Sequence, residues 1–188
     1  ASGLFRDESG EAGDFDLQQA FVSYVAPLGS GLRLDAGKWL SHCGYEVVEG
    51  YDGYNDNATR SFLLGYAEPA THTGLKATYT FSGTVSAMVE VVNGWDNVED
   101  SNSSKSIAAQ VALTLPSNAT LFLNAVVGPE RAGNDGDSRT FLNLVGTWKL
   151  GTLSALGLDA VWATEANAAG PGLDATWGGV ALYGRLGL

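Results

Sequence analysis

Apolar and polar residues alternate with a period of two along most of this chain. Between Ile107 and Leu115, Ile107, Ala109, Val111, Leu113 and Leu115 fall on one side and Ala108, Gln110, Ala112 and Thr114 on the other. From Arg139 to Leu150, Leu142, Leu144, Trp148 and Leu150 oppose Arg139, Asn143, Thr147 and Lys149. From Leu75 to Phe81, Leu75, Ala77, Tyr79 and Phe81 oppose Lys76, Thr78 and Thr80. This is the pattern of a strand with one apolar and one polar face. It predicts nine strands, at 14–27, 31–40, 71–82, 84–95, 105–116, 119–129, 139–150, 152–164 and 174–186. Most exceed the ~5–6 residues usual in soluble sheets. They match the ~9–11 that a tilted strand needs to cross a membrane.

The connections alternate in length. Tight turns at 28–30, 83, 117–118 and 151 take turns with long loops at 41–70, 96–104, 130–138 and 165–173. Gly83, Ser117 and Gly151 stand 34 residues apart, a helical-repeat spacing that the two-residue alternation overrules. Short turns on one rim and long loops on the other predict an all-β fold, an antiparallel up-and-down transmembrane β-barrel. Trp39, Trp95, Trp148, Trp162 and Trp177 fall near strand ends, where an interfacial girdle would place them. Nine strands is an odd number, whereas bacterial single-chain barrels have even ones. Residues 1–188 are therefore read as a single β-barrel domain or a fragment of one, part of a larger barrel.

Composition narrows this further. The 188 residues carry 10 Lys and Arg against 21 Asp and Glu, a net charge of −11, which excludes a nucleic-acid partner that needs clustered bases. With 45% hydrophobic residues the chain is not a disordered acidic tail. One cysteine excludes a disulfide scaffold. No nucleophile motif, phosphate loop or His-Glu-x-x-His occurs, so the chain is read as a non-enzyme without a cofactor.

If the apolar face meets lipid, the polar face lines a pore. The lining candidates are Arg33, Asp35, Lys76, Glu90, Gln110, Asn124, Arg139, Asn143, Lys149, Asp159 and Arg185. Bases outnumber acids among them, which predicts a weak anion preference at high salt, opposed by an acidic mouth. Loop 41–70 is too long to be a plain connection. It holds Tyr45, Glu49, Asp52, Asp56, Arg60, Phe62 and Tyr66. It is expected to fold toward the pore and narrow it, with Phe62 or Tyr66 shielded from solvent. Asp52, Asn55 and Asp56, or Asn134, Asp135 and Asp137, offer oxygens to Ca²⁺ but lack full ligand spacing. His42, Cys43 and His72 flank the long loop, and zinc needs three or four ligands in reach. Their nearness is read as coincidence, with no metal site.

Three stretches carry a family resemblance. They are Asp16-Leu-Gln-Gln-Ala-Phe-Val-Ser-Tyr24 followed by Pro27-Leu-Gly-Ser-Gly-Leu-Arg-Leu-Asp-Ala-Gly-Lys38, then His72-Thr-Gly-Leu-Lys-Ala-Thr-Tyr79, then Val91-Val-Asn-Gly-Trp-Asp-Asn97. The chain resembles the OmpL-like β-barrel porins of Gram-negative bacteria from about residue 14 to its end. The resemblance implies the bacterial outer membrane and passive diffusion of small hydrophilic solutes or ions. The implied partners are outer-membrane lipid, lipopolysaccharide and those solutes, with a homo-oligomer left open. The alternative is a non-conducting structural or assembly barrel that anchors or sheathes a partner protein. His42-Cys43 and Glu68 before Pro69 depart from what the resemblance leads one to expect.

Overall fold

The computed structural model describes residues 17–46 and 60–187. Nine strands form one sheet: β1 (Ala20–Ala26), β2 (Leu32–Leu40), β3 (Thr71–Thr80), β4 (Val85–Val92), β5 (Ser106–Leu115), β6 (Ala119–Pro129), β7 (Ser138–Lys149), β8 (Ala155–Gly170) and β9 (Leu173–Arg185). One π-helical turn, α1 (Leu63–Ala67), lies between β2 and β3. The strands stand in chain order, each antiparallel to the next. Among the described residues β1 and β9 do not pair, so the sheet is open, as in part of a larger barrel.

The alternation sets the two faces. Leu75, Val111 and Leu142 stand exposed on one face at 63%, 40% and 46%, as predicted. Their neighbours Lys76, Gln110 and Asn143 turn to the other, inner face, where Asn143 pairs across to Asn124 and Val161. A one-residue slip anywhere would bring the leucines inside and the amides out, so the pattern fixes the register.

Several predicted boundaries shift: β1 begins at Ala20, with described residues 17–19 outside it, β8 begins at Ala155 rather than 152, and two further changes are larger in consequence. The expected loop 165–173 is a hairpin: β8 runs to Gly170 and β9 starts at Leu173. The run Ala166–Ala169 loses its alternation because the register breaks between Glu165 and Gly170, which is the mark of a β-bulge. Asn167, in the left-handed region, donates its N–H to Asp174 and accepts from Gly172. β4 ends at Val92 rather than 95, because Gly94 and Asp96 both take positive φ and turn the chain. Trp95 is thereby swung onto the inner side.

The sheet curls about its inner face. Trp95, just beyond β4, has its ring centroid 6.4 Å from that of Trp177 on β9. A flat sheet would separate those strands by five spacings of about 4.8 Å. The core lies against this inner face, on an apolar row formed by Ala108, Val126, Phe141 and Ala163. Cys43, Leu63 and Ala67 cover it from the 41–70 segment. Of the five tryptophans, Trp148 and Trp162 are exposed on the outer face, Trp39 is buried, and Trp95 and Trp177 pack on the core. The girdle expectation therefore fails for those three, which serve the interior.

Candidate functional site

The inner face carries two polar arrays. The first spans β1 to β4. Arg33 Nε lies 2.8 Å from Asp35 Oδ1, and its Nη2 donates to Ser23 Oγ. Ser23 also donates to Asp35. Lys76 sits 4.0 Å from both Asp35 Oδ2 and Glu90 Oε1, with its ammonium 4.3 Å from the Trp39 ring centroid. Trp39 Nε1 donates to Glu90 Oε1 at 3.0 Å. The buried carboxylates Asp35 and Glu90 thus share Lys76, an arrangement in which each charge answers its neighbour.

The second array is an amide ladder across β5 to β8. Gln110 Nε2 donates to Asn124 Oδ1 at 2.8 Å, Asn124 Nδ2 to Asn143 Oδ1 at 2.7 Å, and Asn143 Nδ2 to Asp159 Oδ1 at 2.6 Å. The pairing Gln110↔Asn124↔Asn143 is set by strand register. These are four predicted lining residues brought into one chain of bonds.

The ladder holds the segment leading out of β2. Gly44 N–H donates to Asn143 Oδ1 at 3.1 Å and Tyr45 N–H to Asp159 Oδ2 at 2.8 Å. The Tyr45 ring stacks on Tyr183 of β9, centroids 4.2 Å apart. Gly157 makes room for it, since a Cβ there would collide with the ring. Gly44 takes φ +85° and lies against the Glu68 carboxylate, where a side chain would be both strained and blocked. Glu46 Oε2 accepts the N–H of Ser61 at 2.8 Å and ties the two described ends of the segment together.

The described parts of the segment therefore meet the inner wall, through Tyr45 among the residues named from sequence and otherwise through residues not named there. Phe62 and Tyr66 are 83% and 68% exposed and stack on each other at 5.9 Å, which corrects the expectation that one of them is shielded. The reason is helical spacing: Leu63, Leu64 and Ala67 take the wall side of α1, and residues four apart on the opposite side are left outward. Arg60 is exposed. Glu49, Asp52 and Asp56, with the Asp52-Asn55-Asp56 cation candidate, lie outside the described residues.

The remaining predicted lining residues sit near the rims. Arg139 pairs with Glu165 at 2.9 Å and covers the rings of Trp95 and Trp177. Lys149 and Arg185 are exposed at the short-turn end, Arg185 donating to the Leu153 carbonyl. Arg33, Lys76 and Arg139 each stand beside a carboxylate, so the surplus of wall bases that suggested an anion preference is cancelled locally at those three. On the long-loop rim, the oxygens of Asn134, Asp135 and Asp137 are used within the protein. Asp135 accepts from Ser103 and Asp137 from Asn134, Asn167 and Arg131.

His42, Cys43 and His72 do come together. One ligand atom from each lies within 4.8 Å of the other two. Cys43 is buried and His72 fully so. Ser41 Oγ accepts the Cys43 N–H and contacts His72 Nε2 at 3.1 Å. His72 Nδ1 and both ring nitrogens of His42 make no hydrogen bond of normal geometry. Burial, with His72 and Lys76 nearby, holds His42 down at about 3. Burial pushes the Cys43 thiol up, and the carboxylates of Glu68, Glu90 and Asp159 add to that. Burial likewise raises Glu68 well above the carboxylate range, helped by Asp159 and Glu46.

An open, ordered, two-faced sheet with a polar interior decides the family question together with one comparison. The family described as putative beta-barrel porin-2, OmpL-like, matches residues 1–186. The chain belongs to that family. No curated protein and no solved structure matches the chain. As a member of a β-barrel porin family it has a porin-like role in general, and the resemblance drawn from residues 14 onward is thereby shown. Trp39, Glu68, Glu165 and Tyr183 are site residues that the sequence reading missed. Tyr183 carried no signal beyond its place on a strand face, and the strand-end position of Trp39 pointed to a girdle instead.

Proposed function

We propose that this chain forms wall of an outer-membrane pore through which small hydrophilic solutes or ions diffuse passively, with the 41–70 segment narrowing the lumen. The observation that carries this reading is the amide ladder Gln110–Asn124–Asn143–Asp159. It is a continuous polar row on the inner face, partly covered by Gly44 and Tyr45, of a sheet whose opposite face presents Leu75, Val111 and Leu142. Arg or Lys facing lipid at mid-membrane costs about 2–4 kcal/mol, so the charged face turns to the lumen and the apolar face to lipid. Full-length protein reconstituted in a planar bilayer should give discrete conductance steps. A folded, heat-modifiable barrel with no conductance would defeat the reading.

A second reading is a non-conducting barrel that anchors or sheathes a partner. The tight cover of residues 41–46 and α1 on the inner wall favours it, because His42 and Tyr45 lie against Glu90 and Asp159, both of which are out of solvent. Deleting the segment separates the two: a narrowed pore conducts more after deletion, whereas a sheath stays silent.

A further inference from the structure

We propose that His42, Cys43 and His72 form a binding site for a borderline-soft metal ion, Zn²⁺ being the natural occupant. The full sequence has two histidines and one cysteine. All three converge, although Cys43 and His72 stand 29 positions apart in the chain. Their ligand atoms lie within 4.8 Å of one another. A tetrahedral zinc with bonds of about 2.0–2.3 Å spaces its ligands about 3.5 Å apart, so small side-chain rotations close the gap.

Three further observations point to a ligand. His72 is wholly buried and its Nδ1 makes no hydrogen bond of normal geometry, nor does either nitrogen of His42, although the Gly94 and Ala109 backbones stand beside the two rings. Buried imidazole nitrogens are normally satisfied, and a metal satisfies them. Ser41 joins Cys43 and His72 through one hydroxyl, the outer-shell contact that orients ligands at metal sites. Glu90 Oε1 stands 3.6 Å from His42 Nδ1 and supplies negative charge toward a cation. The donor set of one thiolate and two imidazoles selects zinc over Ca²⁺ or Mg²⁺, which take oxygen. Binding to a neutral thiol releases its proton to solvent as the sulfur–metal bond forms.

His42 and Cys43 belong to the infolded segment and His72 to β3. The ion would fasten that segment to the wall at its β3 side, as the amide ladder does at its β7–β8 side. The site stands whether or not the pore conducts.

The test uses tag-free full-length protein, folded in detergent, stripped with chelator and titrated with Co²⁺ and Zn²⁺. One equivalent should bind. Cobalt should show sulfur-to-metal charge transfer and the intense visible bands of a four-coordinate ion. Zinc-edge X-ray absorption of the wild type should show one sulfur at about 2.3 Å and nitrogen neighbours at about 2.0 Å. Cys43→Ser should abolish the charge-transfer band. His42→Gln and His72→Gln should each weaken binding by more than the roughly 10–100-fold that an outer-shell loss costs, each variant first shown to be folded by its heat-shifted gel band. Absence of sulfur from the wild-type coordination shell overturns the proposal, with no variant needed. So does a charge-transfer band that survives in folded Cys43→Ser.

Discussion

At the scale of single residues, the interior is held by groups whose cost is visible. Glu68 is buried with neither carboxylate oxygen hydrogen-bonded, and burial with its acidic neighbours raises it above its ordinary 4.5. The raised group favours the folded state while protonated. That stability is fully present below 4.5 and is lost as pH climbs through the raised value. Each unit of elevation is worth about 1.4 kcal/mol. Thermal unfolding in detergent should therefore show stability falling from mildly acid to alkaline pH, and Glu68→Gln should flatten the slope. Asn143 is the converse case, a fully engaged amide. Asn143→Ala leaves Asn124, Gly44 and Asp159 short of a partner, each buried loss costing about 1–3 kcal/mol. Urea titration should register a loss of several kcal/mol, and proteolysis should find residues 41–46 more accessible.

At the scale of elements, each strand is a two-faced object, and the faces tolerate opposite changes. Leu142→Arg on the outer face should impair membrane insertion by about 2–4 kcal/mol, read as a loss of the heat-shifted band. Thr147→Arg, on the inner face near the short-turn end, should insert normally. The strands were legible because side-chain direction alternates whatever the tertiary surroundings, so Lys76, Gln110 and Asn143 could be assigned to a face from sequence alone. The β8–β9 hairpin was not, because Ala166–Ala169 has no contrast to read and its bulge depends on Asn167. The apolar row Ala108, Val126, Phe141 and Ala163 was equally hidden. It interrupts a face that alternation marks only as "not lipid". The His42–Cys43–His72 trio was visible at the two ends of the long loop but was read as coincidence, because how a chain re-enters its own fold is not written in local periodicity.

At the scale of the whole molecule, electrostatics is set by pairing rather than by counts. The chain carries −11 overall. Arg33, Lys76 and Arg139 are neutralised beside Asp35, Glu90 and Glu165. On the long-loop rim, Asp100 pairs with Lys105 and Asp137 with Arg131. The residual field is acidic, so a conducting pore should prefer cations at low and high salt. The preference should weaken at high salt, as the Debye length shrinks to about 3 Å at 1 M. Reversal potentials across a salt gradient, at two mean ionic strengths, measure this. Anion selectivity at both would mean that Lys149 and Arg185, at the short-turn end, govern permeation.

The bonds that hold the infolded segment also set an order of events. Gly44 reaches Asn143 across 99 residues and Tyr45 reaches Asp159 across 114. Neither bond can form before β7 and β8 are in place, whereas every strand pair in the sheet joins neighbours in the chain. Closing such long loops is slow relative to zipping adjacent hairpins. Assembly should thus pass through a wall already built but not yet covered, with docking of residues 41–46 as its last step. A newly inserted molecule would be briefly more open than the mature one, so a conducting wall would leak each time the protein is made.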